Sequence, residues 1–296
     1  MVNFQHFRSG NGSYLQKEHN KGKKSMLKSA KSILRPLLNR FFNRSRLNDS
    51  KLYSIYTKIF LPESAERKEV QKKFYAELLG TSPKGIVFDI GANLGDKAHL
   101  FLPHATKVVC IEPNPSAAAH LFERFKFTPK VTLVQNAVSN SVGHAELISF
   151  GDANPYNTLS EKWANSLTDV GARTKKEIYE RVLVPTTTLD ALILAYGLPE
   201  FIKIDVEGFE AEVVKGLSRK IPLISMEFNF PEFKNEAMEA INRLVAIDAA
   251  TVFNVVVTEP PRRFEARVWL TANELKYFIA VTKYNYVEIY ARMGGA

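Results

Sequence analysis

The chain has little from which to build a disulfide, a membrane span or a histidine-based metal site. Its one cysteine, Cys110, cannot form an internal disulfide and lies in an apolar run typical of a buried strand. No apolar run reaches the 18 residues that a membrane span needs, and no secretory signal is evident. We expect His99, His104, His120 and His144 to be structural, because their spacing matches no metal site. A reducing compartment fits these absences, and we predict a cytoplasmic protein.

Most of the chain also lacks excess charge. The net charge of +9 hides an uneven division, because residues 1–47 carry eleven basic groups and one acid, or +10. The remaining 249 residues therefore carry about −1 (+9 minus +10). A catalytic domain that binds nucleic acid would be expected to have its own basic face. The division therefore argues against a nucleic-acid partner.

The basic N-terminal segment predicts an extension, residues 1–47, rather than part of a catalytic core. Residues 1–25 are rich in polar residues and are predicted to be disordered. From Met26, apolar residues recur at helical spacing, with a kink expected at Pro36. This basic amphipathic helix could bind the surface of an anionic membrane, which would make the protein peripheral to it. Docking on the catalytic domain or a partner chain remains an equal alternative, and the segment also resembles an organelle transit peptide.

Two further regions are predicted after the extension. Residues 48–83 show helical spacing and form a pre-domain, and residues 84–296 form the catalytic domain. Toward the end of the chain we predict a strand at Thr251–Thr258, a helix at Thr271–Val281 and a strand at Tyr286–Ala291. The last strand is consistent with a hairpin-like addition to the edge of the sheet.

The most informative run is VFDIGANLGD, at residues 87–96. A short apolar strand ends in Asp89, and a turn containing Gly91 and Gly95 opens into a helical pattern. The next apolar strand ends in Glu112, 21 positions after Gly91. A glycine turn lets a ligand approach backbone N–H groups, and an acid at the end of the next strand can accept the hydroxyls of a ribose. The run predicts a nucleoside-containing cofactor.

Two details argue against a dinucleotide. The fingerprint G-x-G-x-x-G needs a second glycine against the pyrophosphate, and Asn93 stands there. Asp89, two positions before the first glycine, would repel a diphosphate. S-adenosylmethionine, with an amino group, a sulfonium and a ribose but no phosphate, suits an acid-lined turn better. A plain tight connection between strand and helix remains the alternative.

A second run, FIKIDVEGFE at residues 201–210, repeats the pattern of an apolar strand followed by acids. Asp205 follows the strand directly, and Glu207 and Gly208 come next. Ligands in doubly wound sheets bind at the carboxyl ends of strands, so one cleft could hold Asp89, Glu112 and Asp205. The alternative is a solvated acidic turn that caps the next helix. That alternative suits Glu210 and Glu212 better than it suits Asp205.

With these residues the chain resembles the FkbM family of S-adenosylmethionine-dependent methyltransferases. The matching segments, in the order of the family, are VFDIGANLGD, IEPNP, QNAVSNSVGHAEL, TTLDAL, KIDVEGFEAEVVKG and SMEF, over roughly residues 85–230. The resemblance implies an α/β, Rossmann-like class I methyltransferase fold with a mostly parallel seven-stranded sheet flanked by helices. It implies S-adenosylmethionine as cofactor, held by Asp89, Gly91, Asn93, Gly95, Glu112, Asn136 and Ala137. Two residues depart from the pattern of the family. Phe209 stands where a small residue is common, and Asn136 stands where many methyltransferases place an acid near the adenine.

The resemblance further implies O-methyl transfer to a small molecule, sugar or glycan, which needs a group to take the proton of the hydroxyl. Asp205 is the first candidate, Glu207 the second and Glu227 the third. A divalent metal held by the same three carboxylates is conceivable. We expect no metal, because the ligand spacing is not that of a known site.

Residues 151–176, between the third and fourth core strands, form the least regular region. Loops over a rigid sheet usually supply substrate contacts. Tyr156, Asn157, Ser160 and Trp163 could therefore bind a polyhydroxylated acceptor, or could only pack the insertion against the sheet. Two other functions remain open: an RNA methyltransferase, and a non-catalytic protein recruited to a membrane or partner by its basic helix.

Overall fold

The computed structural model describes residues 51–169 and 179–294. The predicted N-terminal extension, with its basic helix, lies outside the described residues. The chain divides into two compact units, residues 1–66 and 67–296. The predicted boundaries after residues 47 and 83 stay predictions. No helix in the described part of the chain combines the length and apolar character needed to cross a membrane.

The described residues form helices and strands in a mostly alternating order. The helices are α1 (Lys51–Phe60), α2 (Pro62–Leu79), α3 (Asp96–Phe101), α4 (Pro115–Phe125), α5 (Glu161–Asp169), α6 (Leu189–Tyr196), α7 (Glu210–Lys215), α8 (Lys234–Ile247) and α9 (Ala272–Val281). The strands are β1 (Ile86–Ile90), β2 (Lys107–Ile111), β3 (Val131–Val134), β4 (Ala137–Val138), β5 (Gly143–Ser149), β6 (Glu180–Thr187), β7 (Pro199–Ile204), β8 (Leu223–Asn229), β9 (Val252–Val256) and β10 (Tyr286–Arg292).

The described part of the first unit contains α1 and the start of α2. The rings of Tyr56 and Phe60 stack with centroids 5.1 Å apart. These residues lie four positions apart, one above the other on the same helix face.

The second unit is built on a seven-stranded sheet with the order β3-β2-β1-β7-β8-β10-β9. Strands β3, β2, β1, β7 and β8 pair in parallel, and β10 pairs antiparallel with both β8 and β9. The predicted α/β fold with a mostly parallel seven-stranded sheet is therefore confirmed. The last two strands do extend the sheet in an antiparallel arrangement. β9 lies at the edge, β10 lies between β8 and β9, and α9 connects β9 to β10.

Helices cover both faces of this sheet. One face packs on α6, α7, α8 and α9 and is apolar along its whole length, through residues such as Ile202, Ile204, Ile224 and Met226. The other face packs on α2, α3 and α4, where the fully buried ring of Phe101 lies against Tyr75 and Phe201 at centroid distances of 5.0 and 5.5 Å. Parallel sheets need such cover because neither of their faces is suited to water.

The second face changes character along the strands. Near the amino ends it is apolar, with Val87, Phe201 and Leu223. Because side chains alternate between faces, Asp89, Lys203 and Ser225 lie on the same face two residues further along. The register sets Lys203 directly beside Asp89 on β1 and Ser225 on β8. A polar row therefore crosses the buried sheet at its carboxyl end.

Two features of the fold were not predicted from sequence. The first is a small second sheet with the order β4-β6-β5, in which β6 pairs antiparallel with β5. The second is α5, which gives regular structure to part of the region predicted to be least regular. Its N-terminus is fixed by Ser160, whose Oγ accepts the N–H of Trp163 at 3.1 Å.

The aromatic packing under α3 predicts a large loss of stability on truncation. Phe101→Ala should lower the free energy of unfolding by ~3–5 kcal/mol, because it empties a fully buried site between two rings. Phe122→Ala is the matched control, since Phe122 is 60% exposed and its loss should change stability by less than ~0.5 kcal/mol. Urea denaturation measures both. Equal effects of the two substitutions would contradict the packing described.

Candidate active site

A cleft opens where the order of the strands reverses. Strand β1 lies between β2 and β7, and ligands of open α/β sheets bind beyond the carboxyl ends of strands at such a point. The cleft brings together five of the predicted cofactor residues and two of the predicted catalytic ones: Gly91, Asn93, Glu112, Asn136, Ala137, Asp205 and Glu207. Residues after four different strands therefore meet, as the sequence predicts.

The charged residues that line the cleft in the described part of the chain are all acidic. Three acids, Glu112, Asp205 and Glu207, line it. No lysine, arginine or histidine is among the lining residues in the described part of the chain. Such a lining attracts a cationic ligand and repels the phosphates of a dinucleotide.

The first residue of the turn after β1 has a backbone conformation and surroundings that only glycine can accept. Gly91 has a φ of 81°, and a Cβ placed there would overlap the backbone carbonyl oxygen of Asp205. The Gly91 N–H donates to the carbonyl of Ile111 at 2.9 Å. The turn after β1 is thus in contact with the ends of both neighbouring strands, β2 and β7.

Asn93 and Gly95 complete this turn. Both are left-handed, with φ of 45° and 82°. A Cβ on Gly95 would collide with Phe125 and Leu121 of α4, so Gly95 serves the packing of α3 on α4. The side-chain Oδ1 of Asn93 is buried and has no hydrogen-bond partner within the described residues. An unsatisfied buried acceptor in a cleft wall is a position at which a ligand donor would be stabilised.

Glu112 connects the turns that follow β1 and β2. Its Oε2 accepts the N–H of Asn93 at 2.9 Å, and its Oε1 accepts the N–H of Asn114 at 2.8 Å. Burial raises the pKa of Glu112 to about 7 despite both bonds. Each oxygen has further acceptor capacity, so the carboxyl fits the predicted role of receiving ribose hydroxyls.

Asp89 lies deeper than its predicted role requires. It is 1% exposed and is not among the residues that line the cleft. Burial raises its pKa to about 6, with Asp205 adding to the rise and Lys203 and Lys97 opposing it. The structure therefore places Asp89 in the buried polar row, next to Lys203, rather than at the cleft surface.

Lys203 is the functional candidate that the sequence analysis missed. It is 1% exposed, and its Nζ lies 2.7 Å from Oδ2 of Asp205 and 3.8 Å from Oε2 of Glu227. The surrounding carboxylates raise the pKa of Lys203 against the effect of burial. A signal was present, because a lysine inside an apolar strand, two positions before an acid, must lie on the same face as that acid.

Glu227 lies at the other side of Lys203. Its Oε2 accepts the hydroxyl of Tyr286 at 3.3 Å, and Glu288 of β10 stands directly opposite it in the register. Burial and the charge of Asp205 raise the pKa of Glu227 to about 8. Tyr286 and Glu288 could not be found from sequence, because their place depends on how β10 pairs with β8. No group of described residues is arranged to hold a metal ion.

Glu207 is held in the cleft by a strained backbone. Its φ of 54° is left-handed, and its carbonyl accepts the hydroxyl of the buried Thr158 at 2.7 Å. A non-glycine residue in this region costs free energy and persists only where neighbours hold it. Burial, then Asp205 and Glu227, raises the pKa of Glu207 well above its ordinary value.

Glu210 corrects one interpretation of this turn. The alternative of a solvated acidic turn is wrong for Glu210, which is 1% exposed. Its Oε1 accepts the N–H groups of Val206 at 3.1 Å and Gly208 at 3.3 Å. Glu210 therefore closes the turn from inside the protein, whereas Glu212 is paired at the surface with Lys215 and Asn140.

The residues predicted to bind the methyl acceptor differ in their exposure to the cleft. Asn157 lines the cleft, and its Oδ1 accepts the N–H of Phe150 at 2.8 Å. Tyr156 is 43% exposed, with its ring 6.4 Å from that of Trp163. Trp163 is buried against Phe233 and is not among the lining residues, as expected from the packing alternative. Asn154 and Thr158 line the cleft beside Asn157.

Comparison with known proteins gives a family match over this region. The model of the methyltransferase FkbM domain matches residues 89–250. The 2-O-methyltransferase NoeI of Sinorhizobium fredii (strain NBRC 101917 / NGR234) is 27% identical over 174 residues, which cover 53% of this chain and 66% of NoeI. The chain thus spans just under two thirds of the length of this curated relative.

Solved structures show more distant similarity. The precorrin-6Y C5,15-methyltransferase of Geobacter metallireducens GS-15 is 14% identical, with a TM-score of 0.37 over 78% of this chain and 89% of that one. Aeropyrum pernix fibrillarin, solved with bound S-adenosylmethionine, is 11% identical, with a TM-score of 0.38 over 76% of each chain.

The contact between the turns at Gly91 and Asp205 predicts a specific defect in cofactor binding. Gly91→Ala should weaken S-adenosylmethionine binding by at least ~10-fold, because the new Cβ forces apart the turns after β1 and β7. Gly80→Ala is the matched control, since Gly80 has nearly the same φ of 83° but no heavy atom within 4 Å of the added Cβ. Both variants should lose ~1–2 kcal/mol of stability from backbone strain, but only Gly91→Ala should lose affinity in titration calorimetry. Unchanged affinity of Gly91→Ala would contradict the geometry.

The raised pKa values predict the direction in which stability changes with pH. Between pH 6 and 8 the folded protein keeps protons that the unfolded chain has lost, on Glu112, Glu210 and Glu227. The free energy of unfolding should therefore fall as pH rises through this window, by up to ~1.4 kcal/mol per pH unit for each such proton. Glu227→Gln should flatten the slope, and the exposed Glu265→Gln should not. Urea denaturation at several pH values tests this, and stability that rises from pH 6 to 8 would refute it.

Proposed function

The chain belongs to the FkbM methyltransferase family, whose cofactor is S-adenosylmethionine, and we propose that it methylates a hydroxyl oxygen of a sugar, glycan or other small molecule. One observation carries the proposal: a cleft whose charged lining residues, within the described part of the chain, are all acids ends at a carboxylate, Asp205, that is paired with a buried lysine. The similar NoeI is named a 2-O-methyltransferase, which supports transfer to oxygen.

The residues of the cleft fit the cofactor. Acidic groups suit its ammonium and sulfonium charges, and Glu112 offers acceptors for its ribose hydroxyls. The buried Oδ1 of Asn93 is an acceptor that still needs a donor. When bound, S-adenosylmethionine supplies a methyl group on a positively charged sulfur.

Asp205 is the best of the three candidates for taking the acceptor's proton. Burial and neighbouring acids raise the pKa values of Glu207 and Glu227, which favours their protonated forms, and a protonated carboxyl is a poor proton acceptor. Asp205 instead lines the cleft and has one oxygen 2.7 Å from the ammonium of Lys203. We therefore assign proton acceptance to Asp205, with Glu207 and Glu227 as neighbours that hold protons.

The acceptor hydroxyl is proposed to lie between Asp205 and the loop at residues 154–159. Asn154, Asn157 and Thr158 line that side of the cleft with polar groups, and the exposed Tyr156 lies in the same loop. Amide groups and an aromatic face suit a polyhydroxylated molecule.

Incubation with methyl-labelled S-adenosylmethionine and a panel of sugars, glycans and small alcohols tests the function. We expect label on an oxygen of at least one acceptor. Asp205→Asn should lower kcat by ~10²–10⁴-fold while the Kd for S-adenosylmethionine changes by less than ~3-fold. Asp190→Asn, which alters a carboxylate on α6 that accepts the N–H of Ser218, is the matched control and should keep wild-type kcat.

Three outcomes would count against this proposal. Label on nitrogen, or on RNA instead of any panel member, would contradict the acceptor class. Full activity of Asp205→Asn would remove Asp205 as the proton acceptor.

A further inference from the structure

A gain in packing or stability does not explain the burial of Lys203 in the middle of the sheet. An ammonium removed from water carries a large desolvation penalty before its partners are counted. The neighbouring strand on one side places the small Ser225 beside it, and an apolar residue at position 203 would fill the same space without a charge. Buried ion pairs are often no more stabilising than well-packed apolar residues. The lysine is therefore better explained by what it does to its neighbours.

Those neighbours come from six elements of the fold. The titratable and charged groups that face Lys203 are Asp89 on β1, Asp205 and Glu207 after β7, Glu227 on β8, Glu288 on β10 and Tyr75 on α2. Lys97 on α3 faces the same cluster through Asp89 and Glu227. Of these groups Asp205 both contacts Lys203, at 2.7 Å, and lines the cleft.

We propose that Lys203 is a positioning residue for methyl transfer, which holds Oδ2 of Asp205 and leaves Oδ1 to receive the acceptor's proton. The inference rests on the proposed function. It adds a residue that touches neither cofactor nor acceptor and acts through Asp205.

The donors of the ammonium suit this task. Lys203 has three donors on one atom, so it can hold Asp205 while lying 3.8 Å from Glu227. Glu227 and Glu288 stand directly opposite each other, and like charges in such a pair repel. Without Lys203, the carboxyls around Asp205 would gain protons, because the lysine opposes the rise in pKa of both Asp89 and Glu227.

A double-mutant cycle tests whether Lys203 acts through Asp205. Lys203→Met should lower kcat by about 100-fold, while the KM for S-adenosylmethionine changes by less than about 3-fold. The double variant Lys203→Met/Asp205→Asn should be no slower than Asp205→Asn alone, because a positioning residue has nothing left to position. Lys215→Met is the matched control, since Lys215 pairs with Glu212 and Glu239 at the surface, and it should keep wild-type kcat.

Rescue by a second cation separates positioning from a packing defect. Lys203→Arg keeps the charge, so its kcat should be at least about 10-fold higher than that of Lys203→Met. Losses that multiply in the cycle, or wild-type kcat for Lys203→Met, would overturn the proposal.

A spectroscopic readout covers two other cases: a Lys203→Met variant that does not fold, and a wild type that methylates nothing. With ¹³C-carboxyl aspartate, the resonance of Asp205, assigned through Asp205→Asn, should move in Lys203→Arg and not in Lys215→Met. An unmoved resonance overturns the role of Lys203 whether or not any acceptor is methylated. A moved resonance without turnover contradicts the proposed function alone.

Discussion

The ion pair between Lys203 and Asp205 and the register of the central strands depend on each other. Lys203 lies 2.7 Å from Asp205 because both follow the same face of β7, and Asp89, Ser225 and Glu227 reach that face from β1 and β8. A one-residue slip of β7 would turn the ammonium toward the apolar face formed by residues such as Ile224 and Met226. Because a charge there would have no partner, the buried lysine fixes one register for the sheet.

The same register brings the two loops of the cleft into contact. With β1 and β7 aligned, the turn at Gly91 meets the carbonyl of Asp205, and no side chain fits between them. The left-handed backbone of Glu207 follows two residues later and is held by Thr158 of the loop at residues 154–159. The turns after β1 and β7 and this loop, which all line the cleft, are therefore joined through a few atoms.

The parts of the site that follow strand ends could be predicted from sequence. Gly91, Glu112 and Asp205 come directly after apolar runs, and the carboxyl ends of parallel strands meet at one edge of a sheet. Lys203 was within reach of the same reasoning, through its spacing from Asp205. Glu288 was not, because β10 pairs with β8 from about 60 residues away, counting from Glu227 to Glu288, and no local pattern states that pairing.

The burial of individual side chains is the other property that could not be predicted from the sequence. The sequence predicts that Asp89 binds the cofactor and is compatible with Glu210 in a solvated turn, yet both side chains are 1% exposed. Exposure is decided by helices that pack on the strand ends, such as α3 over β1, rather than by the run that contains the acid. Packing also explains the raised pKa values of Asp89, Glu112 and Glu210, since burial is the largest cause at each of them.

This excess of buried carboxyls lowers the stability of the folded chain. Lys203 and Lys97 face the cluster, yet burial still raises the pKa of Asp89 and Glu227. A cationic ligand in the adjoining cleft, near Asp205 and Glu207, would stabilise the ionised forms that burial opposes. The cost of these acids and the preference for a positively charged cofactor therefore have one cause, namely acids placed where water cannot solvate them.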